Sequence, residues 1–306
     1  MVFFVILTYY LYICSGLKFK NMFNTKINVD KVHEMMVNHL ADYIMNNGLR
    51  AAVLGISGGI DSTVVAYILK DVEYELTVNR KYRNFTFVGI SMPTETTNPD
   101  EFRISELVGH AFCKNFRVFD ITDESKSITV PAVGQDNYMT FNDRIRLGNV
   151  KARLRMIHLY DLAKAYGGIV IGTDNYTEQV LGFSTIGGDA LFDYCPIQKL
   201  WKTEVYELAS YYKKREIEMG NWAAVHALDE SLEIKPQAGL GITASDMDEI
   251  GAPDYFAVDN VLYNDEHGIE QPDKPYVETV LRRKRENAYK RNLPIIINRE
   301  EIDNAE

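Results

Sequence analysis

The sequence predicts a three-layer α/β fold, a parallel sheet with helices on both faces. Short apolar runs of strand length recur along the chain, each bounded by glycine or polar residues. Segments of helical spacing separate them, and strands joined through helices lie parallel and are covered on both sides. At 306 residues the chain is long enough to bury such a core.

The elements follow in order. "INVDKVHEMMVNHLADYIMNNG" places Val29, Val32, Met36, Leu40, Tyr43 and Ile44 on one helical face and stops at Gly48. "AAVLGI" is a buried strand, followed by a helix from Asp61 to about Lys70. Phe85 to Ile90 is a second strand, Glu101 to Phe112 a helix, and "FRVFDIT" a third strand. Arg144 to Tyr166 is a long helix and "GGIVIGT" a further strand. A helix then starts at Asp174 or Asn175. The pattern leaves the strand order open.

Composition excludes several functions. A formal net charge of -10 argues against a nucleic-acid binder, which needs a basic surface. Cys14, Cys113 and Cys195 are too few and too scattered for a disulfide framework or a zinc site, which fits a reducing cytoplasm. Cys113 and Cys195 read as buried small hydrophobes. "MVFFVILTYYLYICSG" has the length of a signal peptide but no basic residues before it, and it falls short of the roughly 20 apolar residues of a membrane span. A secreted or anchored protein is one reading. The other is an upstream start, with 1–21 as an apolar leader and one domain over 22–306. No membrane partner is expected.

Two motifs carry chemistry. "GISGGIDS", Gly55 to Ser62, closes a strand and opens a helix. Gly58 and Gly59 bring backbone N–H groups close to an anion, and the helix adds the positive end of its dipole. The loop lacks the Gly-Lys-Ser/Thr of a Walker A motif and the three-glycine spacing of a dinucleotide fingerprint. A plain strand-to-helix turn, with Asp61 and Ser62 satisfying the helix start, also accounts for it. "IVIGTDNYTEQVLGF", Ile169 to Phe183, is the second strand end. Asn175 and Glu178 have capping-box spacing there, while Glu178 also offers a hard oxygen to a metal.

"SGGIDS" resembles the pyrophosphate-binding signature of the N-type ATP pyrophosphatases, which split ATP into AMP and pyrophosphate. A carboxylate beside a polyphosphate needs a bridging cation, so this resemblance makes Asp61 a Mg²⁺ ligand. "KINVDKVHEMMVNHLADYIMNNGLRAAVLGISGGIDS", "RLGNVKARLRMIHLY", "GTDNYTEQVLGF", "KPQAGLGITASDMDEIG" and "NAYKRNLPI" occur in the order found in the NAD⁺ synthetase family. The resemblance covers about Lys26 to Pro294.

The resemblance implies a Rossmann-like sheet and ATP-dependent amidation of deamido-NAD⁺ by ammonia. The reaction would run through an acyl-adenylate and release AMP and pyrophosphate. Gly55, Ile56, Ser57, Gly58, Gly59, Ile60, Asp61 and Ser62 would bind ATP, together with Thr173 and Lys202. Asp61 and Lys202 would be catalytic, and Asp61 and Glu178 would hold Mg²⁺. Arg153, Asp193, Tyr289 and Lys290 would contact deamido-NAD⁺, Tyr289 standing where the family commonly has histidine. "RIRLGNVKARLR" and "RRKRENAYKR" concentrate the positive charge that phosphorylated substrates require of an acidic chain. A homodimer is implied, using free ammonia or ammonia handed over by a separate protein.

Four further positions depart from the family pattern. Ile186 stands where a lysine is usual, and Leu191 and Phe192 replace small residues of a substrate-covering loop. Gln237 stands where a hydroxyl often contacts ATP. These changes keep two further readings open: a related ligase adenylating another carboxylate, and a nucleotide-binding protein without turnover.

Overall fold

The structure is a computed structural model that describes residues 27–128, 141–235, 245–299, 302 and 305. The apolar leader and Gln237 lie outside these residues. Four parallel strands, β1 (Ala51–Gly55), β2 (Thr86–Ser91), β3 (Asn115–Val118) and β4 (Ile169–Ile171), stand in the order β3-β2-β1-β4. Val53 pairs with Val88 on one side and Val170 on the other, so β1 is central. The chain winds outward from β1 to β3 and then returns to the opposite side of β1. That reversal opens a crevice outside the carboxyl ends of β1 and β4.

Side chains alternate across β1. Ala52 and Leu54 face the larger core with α1 (Val29–Asn46), α2 (Ile60–Tyr74), α3 (Pro99–Phe112), α7 (Lys202–Met219) and α8 (Trp222–Glu233). Val53 faces the other side, against Ala163 of α5 (Phe141–Tyr166). Below α5, Ile90, Met92, Ile121 and Leu154 pack together near α4 (Thr122–Ile128). A satellite cluster joins α6 (Tyr176–Leu181), α9 (Asp246–Ile250), α10 (Tyr255–His267) and α11 (Tyr276–Glu286) around Trp201, Leu181 and Val258. No helix among the described residues is long and apolar enough to cross a membrane.

Some elements differ from the sequence pattern. Met36, Leu40 and Ile44 are buried on α1 as expected, but His33 joins them and Tyr43 is exposed. The second helix continues past Lys70 to Tyr74, because Val72 and Glu73 are also buried. β3 stops at Val118, since at this sheet edge Phe119 bonds back to Ser91 and Asp120 turns to accept from Thr122 N.

A buried polar network ties α2 to α7, whose first turns both lie at the crevice. Glu216, fully buried, accepts from Tyr67 Oη at 2.6 Å, Lys70 Nζ at 2.7 Å and Asn221 Nδ2 at 2.7 Å. Beside it, Arg215 Nη1 donates to Asp71 Oδ2 at 2.8 Å, and the Tyr67 and Tyr212 rings stack 4.1 Å apart. Burial pushes the Glu216 carboxyl up, but the Lys70 and Tyr67 hydrogen bonds outweigh it and hold it below the ordinary glutamate range. Such a depressed carboxyl contributes stability above its unfolded value of 4.5, lost as pH falls through the lower folded one. Glu216→Gln therefore costs about 2 kcal/mol at neutral pH. In urea melts that gap closes as the pH is lowered below about 4. A gap independent of pH would show that the charge of Glu216 contributes nothing.

Candidate active site

The glycine loop leaves β1 at Gly55 and enters α2 at Ile60. Gly58 has φ +92°, and a Cβ there would lie 2.2 Å from the Glu101 carbonyl oxygen, so backbone packing alone demands glycine. The loop closes on its own hydroxyls: Ser57 Oγ lies 3.1 Å from Ser62 Oγ and accepts from Gly59 N at 3.2 Å. The helix N-cap, Gly59, receives no side-chain cap. Asp61 is thus not spent on the helix start. Its Oδ1 accepts from Asn175 Nδ2 at 2.9 Å, and its Oδ2 from Lys202 Nζ.

The second strand end brings Glu178 to the same place. Asn175 caps α6 by accepting from Glu178 N at 3.0 Å, and Glu178 Oε2 accepts from Asn175 N at 3.4 Å. The other oxygen, Oε1, accepts from Lys202 Nζ at 2.9 Å. Both readings of Glu178 hold together: one oxygen caps the helix and the other faces the charge centre.

Lys202 opens α7 and is 2% exposed, its ammonium 4.9 Å from the centre of the Tyr255 ring. Thr177 Oγ1 accepts from Lys202 N at 2.9 Å and donates to Asp259 Oδ1 at 2.5 Å, while Asp259 Oδ2 accepts from Thr203 N at 2.9 Å. Asp259 thereby fixes the start of α7. Burial opposes charge on Lys202, but Asp61 and Glu178 overcome it and hold the ammonium protonated well above the ordinary lysine range. Burial pushes Glu178 up to about 7 against the pull of Lys202, with Asp61 pushing the same way.

Asp61, Glu178 and Lys202 line one cavity of about 430 Å³ running from the glycine loop to Lys290. Its walls add Glu101, Arg155, Asp174, Asp189, Asp246 and Arg283. Asp174 is 8% exposed, and burial raises its carboxyl well above the usual range, helped by Glu178, Asp189 and Asp61. Asp246 accepts from Tyr255 Oη at 2.6 Å through Oδ2, and its buried Oδ1 has no hydrogen-bond partner among the described residues.

Residues 32–294 match the model of the NAD synthase family. The chain belongs to that family. It is 32% identical over 278 residues to the NH(3)-dependent NAD(+) synthetase of Fusobacterium nucleatum subsp. nucleatum, covering 88% of this chain and 96% of that one. A structure of the NH3-dependent NAD synthetase from Campylobacter jejuni superposes with TM-score 0.64 at 26% identity, over 89% of this chain and 100% of that chain. A structure of NMN synthetase from Francisella tularensis shares the fold, with TM-score 0.70 at 24% identity over 89% of this chain and 100% of that chain. The protein is therefore an ATP-using ligase of NAD synthetase type, working through an acyl-adenylate.

Of the residues read as ATP contacts, all but one gather on one surface. Gly55, Ile56, Ser57, Gly59, Ile60, Asp61, Ser62, Thr173 and Lys202 all line the cavity. Gly58 does not, being turned against α3. The four residues read as substrate contacts divide differently. Lys290 lines the cavity and donates to the Gly182 and Ser184 carbonyls at 2.8 Å each. Arg153 is exposed on the outer side of α5, its Nε donating to the Ile186 carbonyl at 3.1 Å. Asp193 ties its segment to the sheet edge, accepting from Val170 N at 2.8 Å and Tyr160 Oη at 3.1 Å. Tyr289 is 48% exposed on the turn Ala288–Arg291. These three do not line the cavity within this chain.

The departures in the covering segment have a physical role. Phe192 packs with Val53, Val88 and Val170, and a Cβ on Gly172 would meet its ring at 2.4 Å. Ile186 and Leu191 remain partly exposed. Arg155 was not separable by sequence from the other basic residues of α5, yet it alone of Arg153 and Arg155 reaches the cavity. Its signal was the two-residue offset from Arg153, which reverses the direction faced on a helix. Cys113 is buried, its thiol pushed up to about 12 by burial, and Cys195 Sγ donates to the Asp174 carbonyl at 3.2 Å.

Proposed function

We propose that this protein amidates deamido-NAD⁺ to NAD⁺ with ammonia. The observation that carries the reading is the convergence of Asp61 and Glu178 on Lys202, at the crevice beside the glycine loop. Relatives whose length the chain nearly spans bear the name NH(3)-dependent NAD(+) synthetase, which supports ammonia as the nitrogen donor.

Asp61 and Glu178 offer hard carboxylate oxygens from two strand ends and would be the residues that hold Mg²⁺. When bound there, Mg²⁺ supplies Lewis-acid charge to ATP. The chain's own part is positional. The part of the glycine loop that lines the cavity, Ser57, Gly59 and Ile60, and the α2 dipole would hold the phosphates, and Lys202 would bring a fixed positive charge to the α-phosphate. The nicotinate carboxylate attacks the α-phosphorus and pyrophosphate leaves. Ammonia then attacks the acyl carbon, the bond to the phosphate oxygen breaks, the nitrogen loses a proton to solvent, and the amide and AMP separate.

A second reading, amidation of a different nicotinate nucleotide, is favoured by Ile186 in place of a cation and by the apolar Leu191 and Phe192. One assay decides between them. The protein is incubated with Mg-ATP, ammonium and deamido-NAD⁺, and AMP and NAD⁺ are measured together. Equal, ammonium-dependent yields are expected. AMP without NAD⁺ moves the acceptor to nicotinic acid mononucleotide, tested in the same way. No AMP with either acceptor, from a folded protein that binds ATP, overturns the ligase reading.

A further inference from the structure

Among the cations of the cavity, most are already spent. Lys202 holds Asp61 and Glu178, Arg283 Nη2 donates to Glu249 Oε1 at 2.7 Å, and Lys290 donates to two carbonyls, while Lys235 is exposed to solvent. Arg155 is different. Its Nε donates to the Met92 carbonyl at 3.1 Å, and its terminal nitrogens make no hydrogen bond or ion pair among the described residues. A guanidinium carries five N–H donors in a rigid fork, so four remain for something else.

Position adds to the case. Leu159, one turn further along α5, lies against Gly55 at the end of β1. Arg155 therefore stands just beyond that strand end, lining the cavity with the glycine loop and with Asp189 of the covering segment. Burial presses against its charge, and neither acidic neighbour neutralises it by contact. Asp189 is itself buried and committed to Thr185 N at 2.7 Å. Glu101 is raised by burial to about 7, so a large share of it is uncharged at neutral pH. A cation partly stripped of water, with free donors and no carboxylate in hydrogen-bond contact among the described residues, is a standing site for an anion.

We propose that the terminal nitrogens of Arg155 bind a substrate oxyanion, anchored by the Nε bond to the end of β2. The inference rests on the proposed function only in that ATP and a nicotinate nucleotide enter this cavity. Phosphate and carboxylate share the chemistry the fork recognises, and the test separates them.

The full chain, Arg155→Gln and Arg155→Lys are titrated calorimetrically with Mg-ATP, nicotinic acid mononucleotide and nicotinamide mononucleotide. Thermal melts of each variant report the fold. Arg155→Gln is expected to weaken at least one probe about tenfold or more, and Arg155→Lys, which keeps the charge without the fork, to lose less. Weaker Mg-ATP binding identifies an ATP phosphate. Weaker binding of nicotinic acid mononucleotide alone identifies the carboxylate, and weaker binding of both mononucleotides identifies their phosphate. Unchanged affinity for all three probes overturns the proposal, and if the glutamine variant does not fold, unchanged affinity in Arg155→Lys does so. A wild-type chain that binds these probes but forms no NAD⁺ defeats the function reading while leaving the Arg155 comparison decisive.

Discussion

Glu178→Gln lowers AMP formation by about 10²–10³-fold and leaves the fold in place. The reason lies in the division of labour between its oxygens. Oε2 serves the capping box with Asn175 N, a role that glutamine also fills. Oε1 faces Lys202 and the cavity, and there glutamine removes a negative charge. The variant thus separates the start of α6 from the charge centre. Asp61→Asn has a similar effect on turnover, since Asp61 is free of the α2 cap and acts only toward Asn175 and Lys202. Initial rates at limiting and saturating Mg²⁺, beside thermal melts, check both. Near-normal rates at limiting Mg²⁺ in either variant would remove that residue from the metal site.

The two strand ends of this centre were legible because their signals are local. A glycine pair after a short apolar run, and an Asn-x-x-Glu after another, mark them, whereas the ATP roles and Lys202 came from the family resemblance. What brings the two ends together is the strand order, and alternation of strands and helices does not specify it. With β4 beside β1, Asn175 reaches Asp61 across 114 positions of sequence. Hydrophobic periodicity likewise found Met36, Leu40 and Ile44 on α1 but not His33, which is buried through partners on α2 and α7. Arg155 was hidden for a related reason. α5 carries basic residues around its circumference, and only the packed helix shows that Arg155 reaches the cavity. Asp193 and Phe192 belong to a segment whose path is fixed by Val170 and Gly172, so their surroundings depend on tertiary contacts that spacing does not encode.

Lys202→Met is the change expected to cost most stability, about 3 kcal/mol at neutral pH. Lys202 is the one positive group shared by Asp61 and Glu178, and both carboxylates keep only a small part of their side chains exposed. Methionine fills similar volume but leaves two like charges facing each other without a counter-ion. The protein can relieve this by protonating Glu178, which burial already holds at about 7 with Lys202 present. Without Lys202 that carboxyl rises further. A carboxyl whose folded pKa lies above its unfolded value binds more protons in the folded state, so stability falls as pH rises through the gap. The variant should therefore lose least near about pH 5 and most near about pH 8. Urea melts at those two values test the sign. The double variant Lys202→Met, Glu178→Gln should then recover part of the loss at high pH, because it removes the repulsion that the first change exposed. A loss equal at both pH values and unrelieved by Glu178→Gln would mean that Lys202 is held for packing alone. The coupled outcome would identify its charge as what allows two carboxylates to be stored beside a phosphate-binding loop.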